Sequence, residues 1–220
     1  MFLYDCIRRI VVQRIESTLQ QRFELSLAEG EGMSDLVFQA ITFASRCHEG
    51  QFRKGTEIPY IVHPLSMLRF LARLGAPAEL QAAAVLHDVV EDTEATLQDV
   101  RERFGDRVAF LVEGATEKDK SLGWLERKQA AIREAEESDD LELLVLKCVD
   151  KLDNLSDIRE DHELQGESIW ARFAADHAAQ MWYYSTLTRL FVGRLGGTPY
   201  EGLATQIKTV YEFVFGPLPE

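Results

Sequence analysis

Apolar residues recur along this chain mainly at the spacing of one helix face. Ala40, Phe43, Ala44 and Cys47 follow i, i+3, i+4, i+7, and Leu65, Leu68, Leu71 and Ala72 return to one side of a second segment. This is the 3.6-residue period of an amphipathic helix. Alternating β-branched and aromatic runs bounded by Gly or Asn, the mark of strands, are almost absent. The pattern predicts an all-α fold in a single compact domain.

The punctuation agrees. Ser34 and Asp35 offer an N-cap to a helix ending near His48, and Pro64 and Pro77 fall where a first-turn proline is tolerated. Thr96-Leu97-Gln98-Asp99 resembles a capping box with Asp in place of Glu, and Gly105 is placed to end that helix at Phe104. Further helices are expected over 106–116, 122–137, 139–157, 168–193 and 199–214, with a loop from Gly50 to Val62 that contains Gly55 and Pro59. Residues 1–32 read as a separate amphipathic helical extension ending in Glu29-Gly30-Glu31-Gly32, and residues 33–220 as the main domain. The extension suits a docking or dimerisation helix, an extra helix packed on the domain, or an upstream start with Met33 as the usual beginning.

Composition removes several classes of function. With 46% hydrophobic residues the chain can bury a core. Against 37 Asp+Glu there are 24 Lys+Arg, a formal net charge of −13, which argues against nucleic acid, whose binding needs clustered cations, and against an anionic membrane surface. No apolar run approaches the roughly 18–20 residues of a membrane span. Asp5, Arg8 and Arg9 interrupt the N-terminal stretch where a signal peptide needs an unbroken apolar core. Cys6, Cys47 and Cys148 form no short pair, which fits a reducing cytoplasm. Oligomeric state is left open, a homo-oligomer included.

The chemistry concentrates in a few positions. Ala82-Ala83-Ala84-Val85-Leu86 reads as a buried helix, yet His87, Asp88, Glu91 and Asp92 follow at once. Charges without partners are too costly to bury. On a continuous helix His87 and Glu91 would share one face and Asp88 and Asp92 another. Imidazole with carboxylate is a ligand set for a divalent metal such as manganese, iron, zinc or magnesium. His63 stands at an element boundary in Pro59-Tyr60-Ile61-Val62-His63-Pro64, and Asp150 and Asn154 lie four apart on a mainly apolar helix. Two His and two Asp leave coordination positions for water and substrate. Each residue alone has an ordinary use: Glu91-Asp92 as a solvated helix end, Asp150 as a partner of Lys147 or Lys151.

Taken in order, His63, His87-Asp88 and Asp150 resemble the HD-domain metal-dependent phosphohydrolases. More narrowly, Ala44–Lys54, Pro59–Pro64, Leu86–Thr93, Phe104-Gly105 and Asp150–Leu155 resemble the hydrolase domain of the Rel/Spo alarmone enzymes and the stand-alone small alarmone hydrolases. The resemblance covers about residues 34–158 and implies an HD-type helical bundle. It also implies that His63, His87, Asp88 and Asp150 hold Mn2+ and that Glu91 and Asp92 orient or activate the attacking water. The implied reaction removes the 3′-pyrophosphate of guanosine tetra- or pentaphosphate. Arg53 and Lys54 would lie against the base and Asn154 near the ribose, with Arg127 and Lys128 as further cations for the substrate. His48 is expected to be structural or to stand behind the site residues, His162 and His177 to lie on exposed or interface faces, and Trp182-Tyr183-Tyr184 to be mainly core, with one of the tyrosines able to line the pocket.

Two positions depart from the pattern. Trp124 precedes Leu125-Glu126-Arg127-Lys128 where the stand-alone hydrolases tend to have Lys, and Ser156 follows Leu155 where Arg is usual. Lys118, Lys120, Arg127 and Lys128 are the cations placed to compensate. The departures keep open an HD phosphohydrolase of another nucleotide, such as an adenosine alarmone, a deoxynucleotide or a phosphorylated dinucleotide. A non-catalytic nucleotide-binding module is the second alternative. The chain ends where two-activity Rel/Spo enzymes continue into a synthetase domain, so hydrolysis without synthesis is expected.

Overall fold

The computed structural model describes residues 35–117 and 119–219. The extension at 1–32, Met33 and Lys118 lie outside them. Helix α1 covers 35–47, followed by α2 (Val62–Arg73), α3 (Ala78–Leu86), α4 (Val89–Asp92), α5 (Leu97–Ala115), α6 (Trp124–Glu137), α7 (Leu141–Gln165), a 3-10 segment (Gly166–Arg172), α8 (His177–Leu195) and α9 (Glu201–Phe215). No strand occurs among the described residues; Phe52 and Pro59 form one isolated antiparallel bridge. The expected all-α architecture is the observed one. No helix among the described residues is long and apolar enough to cross a membrane.

Helix α7 is the axis of the packing. Leu144, Val145, Leu146, Cys148, Val149, Leu152 and Leu155 are buried along it, and it touches α2, α3, α5, α8 and α9. Such multi-sided burial leaves polar residues on α7 only where partners await them. Helix α3 packs against α2, α5 and α7 with Ala82, Ala83 and Ala84 wholly buried; methyl-sized side chains let the backbones approach closely.

Local chemistry explains the helix ends. The capping box is present: Asp99 N–H donates to Thr96 Oγ1 and Thr96 N–H to Asp99 Oδ2. Gly105 breaks the helical dihedrals inside α5 at φ 86°, a left-handed conformation open to glycine, so the expected stop at Phe104 appears as a kink. Asp140 caps α7 through Leu143 N–H, and Gly166, at φ 63°, ends it eight residues beyond the expected limit. The expected helix 168–193 is a correction. Phe173 is extended and Asp176 accepts from Ala179 N–H, so α8 starts only at His177.

Candidate functional site

Three segments bring the polar residues together: the loop after α1 with the start of α2, the α3–α4 junction, and the middle of α7. His63 is the second residue of α2 and is buried. The chain does not continue as one helix through His87 to Asp92. His87 is the C-cap of α3, Asp88 leaves the helix at φ −101° and ψ −3°, and α4 restarts at Val89. The carboxylate of Asp88 turns to His87 Nε2 at 2.8 Å and accepts from the Tyr60 hydroxyl. Asp92 N–H still donates to Asp88 O at 2.9 Å, so those two remain one turn apart.

The imidazoles converge. His63 Nε2 lies 3.3 Å from His87 Nε2. Behind them, His63 Nδ1 is 2.6 Å from Asp153 Oδ2, and His87 Nδ1 is 3.0 Å from the carbonyl of Ala84. Acceptors behind both Nδ1 atoms hold each ring with Nε2 turned to the shared space, where a bound metal ion would take the place of the Nε2 proton that His87 shares with Asp88. His63, His87 and Asp88 each offer a ligand atom, all within 4.8 Å of one another. Asp150 stands beside this group, Oδ1 3.5 Å from His63 Nε2, while its oxygens accept from Lys151 Nζ and Asn154 Nδ2 at 2.6 Å each.

The charges are strongly interlocked. Burial opposes the His87 imidazolium, but the Asp88 carboxylate beside it lifts the ring to about 9. Burial would raise Asp88, yet the adjoining imidazolium holds it well below the usual carboxylate range. Burial likewise acts on Asp150, and the Lys151 ammonium outweighs it to keep the carboxyl low. A nitrogen–nitrogen–oxygen donor set with no thiolate and with an acceptor fixing each ring from behind fits a hard or borderline divalent ion.

Glu91 and Asp92 have different surroundings. Glu91 Oε2 accepts from Glu117 N–H at 2.9 Å, and burial pushes its carboxyl up. Asp92 is more exposed and pairs with Lys120 Nζ at 2.8 Å, which also donates to the Glu91 carbonyl at 2.7 Å. The Gln51 amide donates to the Asp92 carbonyl, and His48 Nδ1 meets Gln51 Oε1 at 2.8 Å. His48 thus ties the loop to α4 in a structural role.

Arg53 lies against α7. Its guanidinium donates to Asn154 Oδ1 at 2.9 Å and through Nε to Asp157 Oδ2 at 3.0 Å, with its centre 5.9 Å from the Tyr60 ring centroid. Lys54 is exposed. Arg127 and Lys128 converge on Glu117 at 2.7 and 2.5 Å. Three of the four cations placed to compensate for Trp124 and Ser156 are therefore already paired with carboxylates, Lys120 with Asp92, and Arg127 and Lys128 with Glu117; the fourth, Lys118, lies outside the described residues. Trp124 packs edge-on against Tyr183, and the Ser156 hydroxyl donates to Leu152 O. Tyr183 and Tyr184 are buried as expected. His162 pairs with exposed Glu167, while His177 packs between Trp170 and Phe215.

The sequence alone did not single out Tyr60, Glu117, Asp153 or Asp157, while the expected pairing of Asp150 with Lys151 is present. Asp150, Asp153, Asn154 and Asp157 lie at i, i+3, i+4, i+7 on α7, one face of a helix, and Tyr60 precedes His63 by three within the motif already singled out. Those spacings were the available signal.

A family model described as the HD domain matches residues 40–178. A guanosine-3′,5′-bis(diphosphate) 3′-pyrophosphohydrolase of Aquifex aeolicus is 38% identical over 145 residues, 64% of this chain and 20% of that protein. This chain therefore spans about a fifth of that relative's length. The human guanosine-3′,5′-bis(diphosphate) 3′-pyrophosphohydrolase MESH1 is 39% identical over 145 residues, 61% of this chain and 80% of that protein. Among solved structures, a metazoan orthologue of SpoT, described as hydrolysing ppGpp, superposes with a TM-score of 0.66 at 29% identity, covering 82% of this chain and 96% of the other. The protein lmo0812 of Listeria monocytogenes superposes with a TM-score of 0.65 at 35% identity, covering 70% and 98%.

Proposed function

The chain belongs to the HD-domain family of metal-dependent hydrolases, and on that premise we propose that it removes the 3′-pyrophosphate of guanosine tetra- or pentaphosphate, leaving GDP or GTP. The observation that carries the reading is the convergence of His63 Nε2, His87 Nε2 and the Asp88 carboxylate beside Glu91. The names borne by the Aquifex and human relatives support the choice of substrate.

His63, His87, Asp88 and Asp150 would hold the ion, and Mn2+, which accepts mixed nitrogen and oxygen donors, is the ion that the family resemblance implies. When bound, such an ion lowers the pKa of water and offsets phosphoryl charge. Of the two acids, Glu91 suits the general base: it is partly buried and less acidic than an exposed carboxyl, which improves its capacity to take a proton near neutral pH. Asp92 makes the shorter of the two ion pairs of Lys120, 2.8 Å against 3.5 Å to Glu91 Oε1, and orients that segment. Arg53 can stack on a purine through its planar guanidinium, Lys54 supplies a solvent-facing cation beside it, and Asn154 is held by Arg53 for a sugar hydroxyl. Arg127 and Lys128 reach substrate phosphate only by exchanging it for Glu117. A small nucleotide in the cytoplasm, rather than nucleic acid or a membrane, is the partner this reading requires, and residues 33–220 are the unit that acts on it.

A second reading rests on Trp124 and Ser156. Both stand where a cation would face polyphosphate, and both are engaged with protein atoms. This favours a less highly charged nucleotide on the same centre. A substrate panel with Mn2+, covering guanosine and adenosine alarmones and deoxynucleotides, separates the two by the product released. Pyrophosphate from guanosine tetraphosphate supports the first reading. Its absence, with phosphate or pyrophosphate released from another nucleotide, supports the second.

A further inference from the structure

Asp153 is the single acid among the described residues that is buried outright, at 4% exposure, and nothing in the proposed reaction uses it. A carboxylate in that position is costly unless a specific partner repays its lost hydration. Its neighbours Leu152 and Leu155 show what the interior of α7 otherwise selects. The partner is His63: Asp153 Oδ2 lies 2.6 Å from Nδ1, with side-chain exposures of 6% and 1%.

The geometry has a direction. An imidazole that donates from Nδ1 keeps its lone pair on Nε2, and His63 Nε2 is the atom that faces His87 and Asp150. Asp153 therefore sits behind the ring, on the side away from the other ligand atoms. The corresponding atom of His87 meets only a neutral carbonyl, that of Ala84. The two rings are held unequally, one by a charge and one by a dipole. Asp153 also forms part of the wall of a cavity of about 790 Å³ between α2, α7 and α9, shared with Arg53, Ser66, Ser156 and Thr209. Truncating its side chain would open onto that space, where water can enter.

We propose that Asp153 is a positioning residue of the metal centre: its carboxylate fixes the tautomer and plane of His63 and thereby raises the affinity of the centre for its divalent ion. The inference rests on the reading of His63, His87, Asp88 and Asp150 as ligands. Carboxylates that brace a ligating imidazole typically govern metal affinity by about 10- to 100-fold.

The test uses the whole chain, stripped with a chelator and titrated with Mn2+ by calorimetry and by the electron paramagnetic resonance signal of free Mn2+. Asp153→Ala is expected to raise Kd by about 10- to 100-fold. Asp153→Asn should raise it less, because the amide oxygen can still accept from Nδ1. At saturating Mn2+, kcat should return to near the wild-type value, so the defect lies in the metal concentration required. A Kd unchanged from wild type in both variants, with metal-free melting curves showing a folded chain, overturns the proposal. Should both variants fail to fold, nitrogen-15 imidazole spectra of the wild-type protein loaded with diamagnetic Zn2+ decide: a proton on His63 Nδ1 supports the proposal and a proton on Nε2 overturns it. Failure of the wild-type chain to take up Mn2+ at all would instead remove the reading of the site on which this inference stands.

Discussion

The Nε2 atoms of His63 and His87 face each other at 3.3 Å, and each ring is held from behind at Nδ1 by an acceptor. Two histidines arranged for packing alone would turn one nitrogen to a donor or to solvent. Here His87 Nε2 lies 2.8 Å from the Asp88 carboxylate and His63 offers a ligand atom within 4.8 Å of both, which concentrates donors on one point.

The proposed ligand set predicts a shared failure. Asp88→Ala and Asp150→Ala should each lose bound metal and turnover together, as measured by elemental analysis after dialysis and by product release. Unchanged metal content in both variants would mean that neither carboxylate is a ligand.

Glu91 should separate chemistry from metal binding. Glu91→Gln is expected to keep its metal and to lose about 100-fold or more in kcat, the scale of a missing general base. A base works deprotonated, so activity rises with pH as Glu91 ionises. Because burial raises its carboxyl, the acid limb of the wild-type profile should sit above the range of an exposed glutamate. A variant profile that keeps this limb would assign it elsewhere.

Arg53 should act on substrate affinity. Arg53→Ala removes the bonds to Asn154 and Asp157 and any stacking surface for a purine. KM for guanosine tetraphosphate should rise about 10-fold, the effect of roughly 1.4 kcal/mol of binding, with metal content unchanged. Arg53→Lys should not rescue it, because a point charge lacks the planar fork.

Stability has its own lever at Asp140, far from the chemistry. Asp140 caps α7 and accepts from Arg107 of α5 at 2.7 and 3.0 Å. Asp140→Ala should cost about 1–2 kcal/mol in urea unfolding at pH 7, most of it the lost cap, since the ion pair is partly exposed. The hydrogen bonds from Arg107 hold the Asp140 carboxyl below its ordinary value. Its contribution is therefore complete above about pH 4, the unfolded value, and is lost as pH falls through the lowered one. The gap between wild type and variant should narrow at pH 3.

Much of this was legible in the sequence because helix period and caps are local. The apolar spacing marked α1 and α2, and Thr96 with Asp99 marked the start of α5. The break at residues 173–176 was not, since Asp176 as a cap competes with a strongly apolar run that reads as continuous helix. The residues proposed as ligands were legible as residue types at a spacing. The kink at Asp88 and the carboxylate behind His63 were not, because both depend on which side chains meet across α2, α3 and α7. The pairing of Arg127 and Lys128 with Glu117 was hidden for the same reason: a run of basic residues gives no sign of the acid that occupies it.

The central claim is that His63, His87 and Asp88 form a metal-dependent hydrolytic centre, and metal titration of turnover tests it most directly. Chelator-stripped protein is given guanosine tetraphosphate and increasing Mn2+ while pyrophosphate release is followed. The account predicts no release without metal, recovery in step with bound Mn2+, and no recovery in Asp88→Ala. Release that ignores the chelator, or that recovers equally in Asp88→Ala, would contradict it.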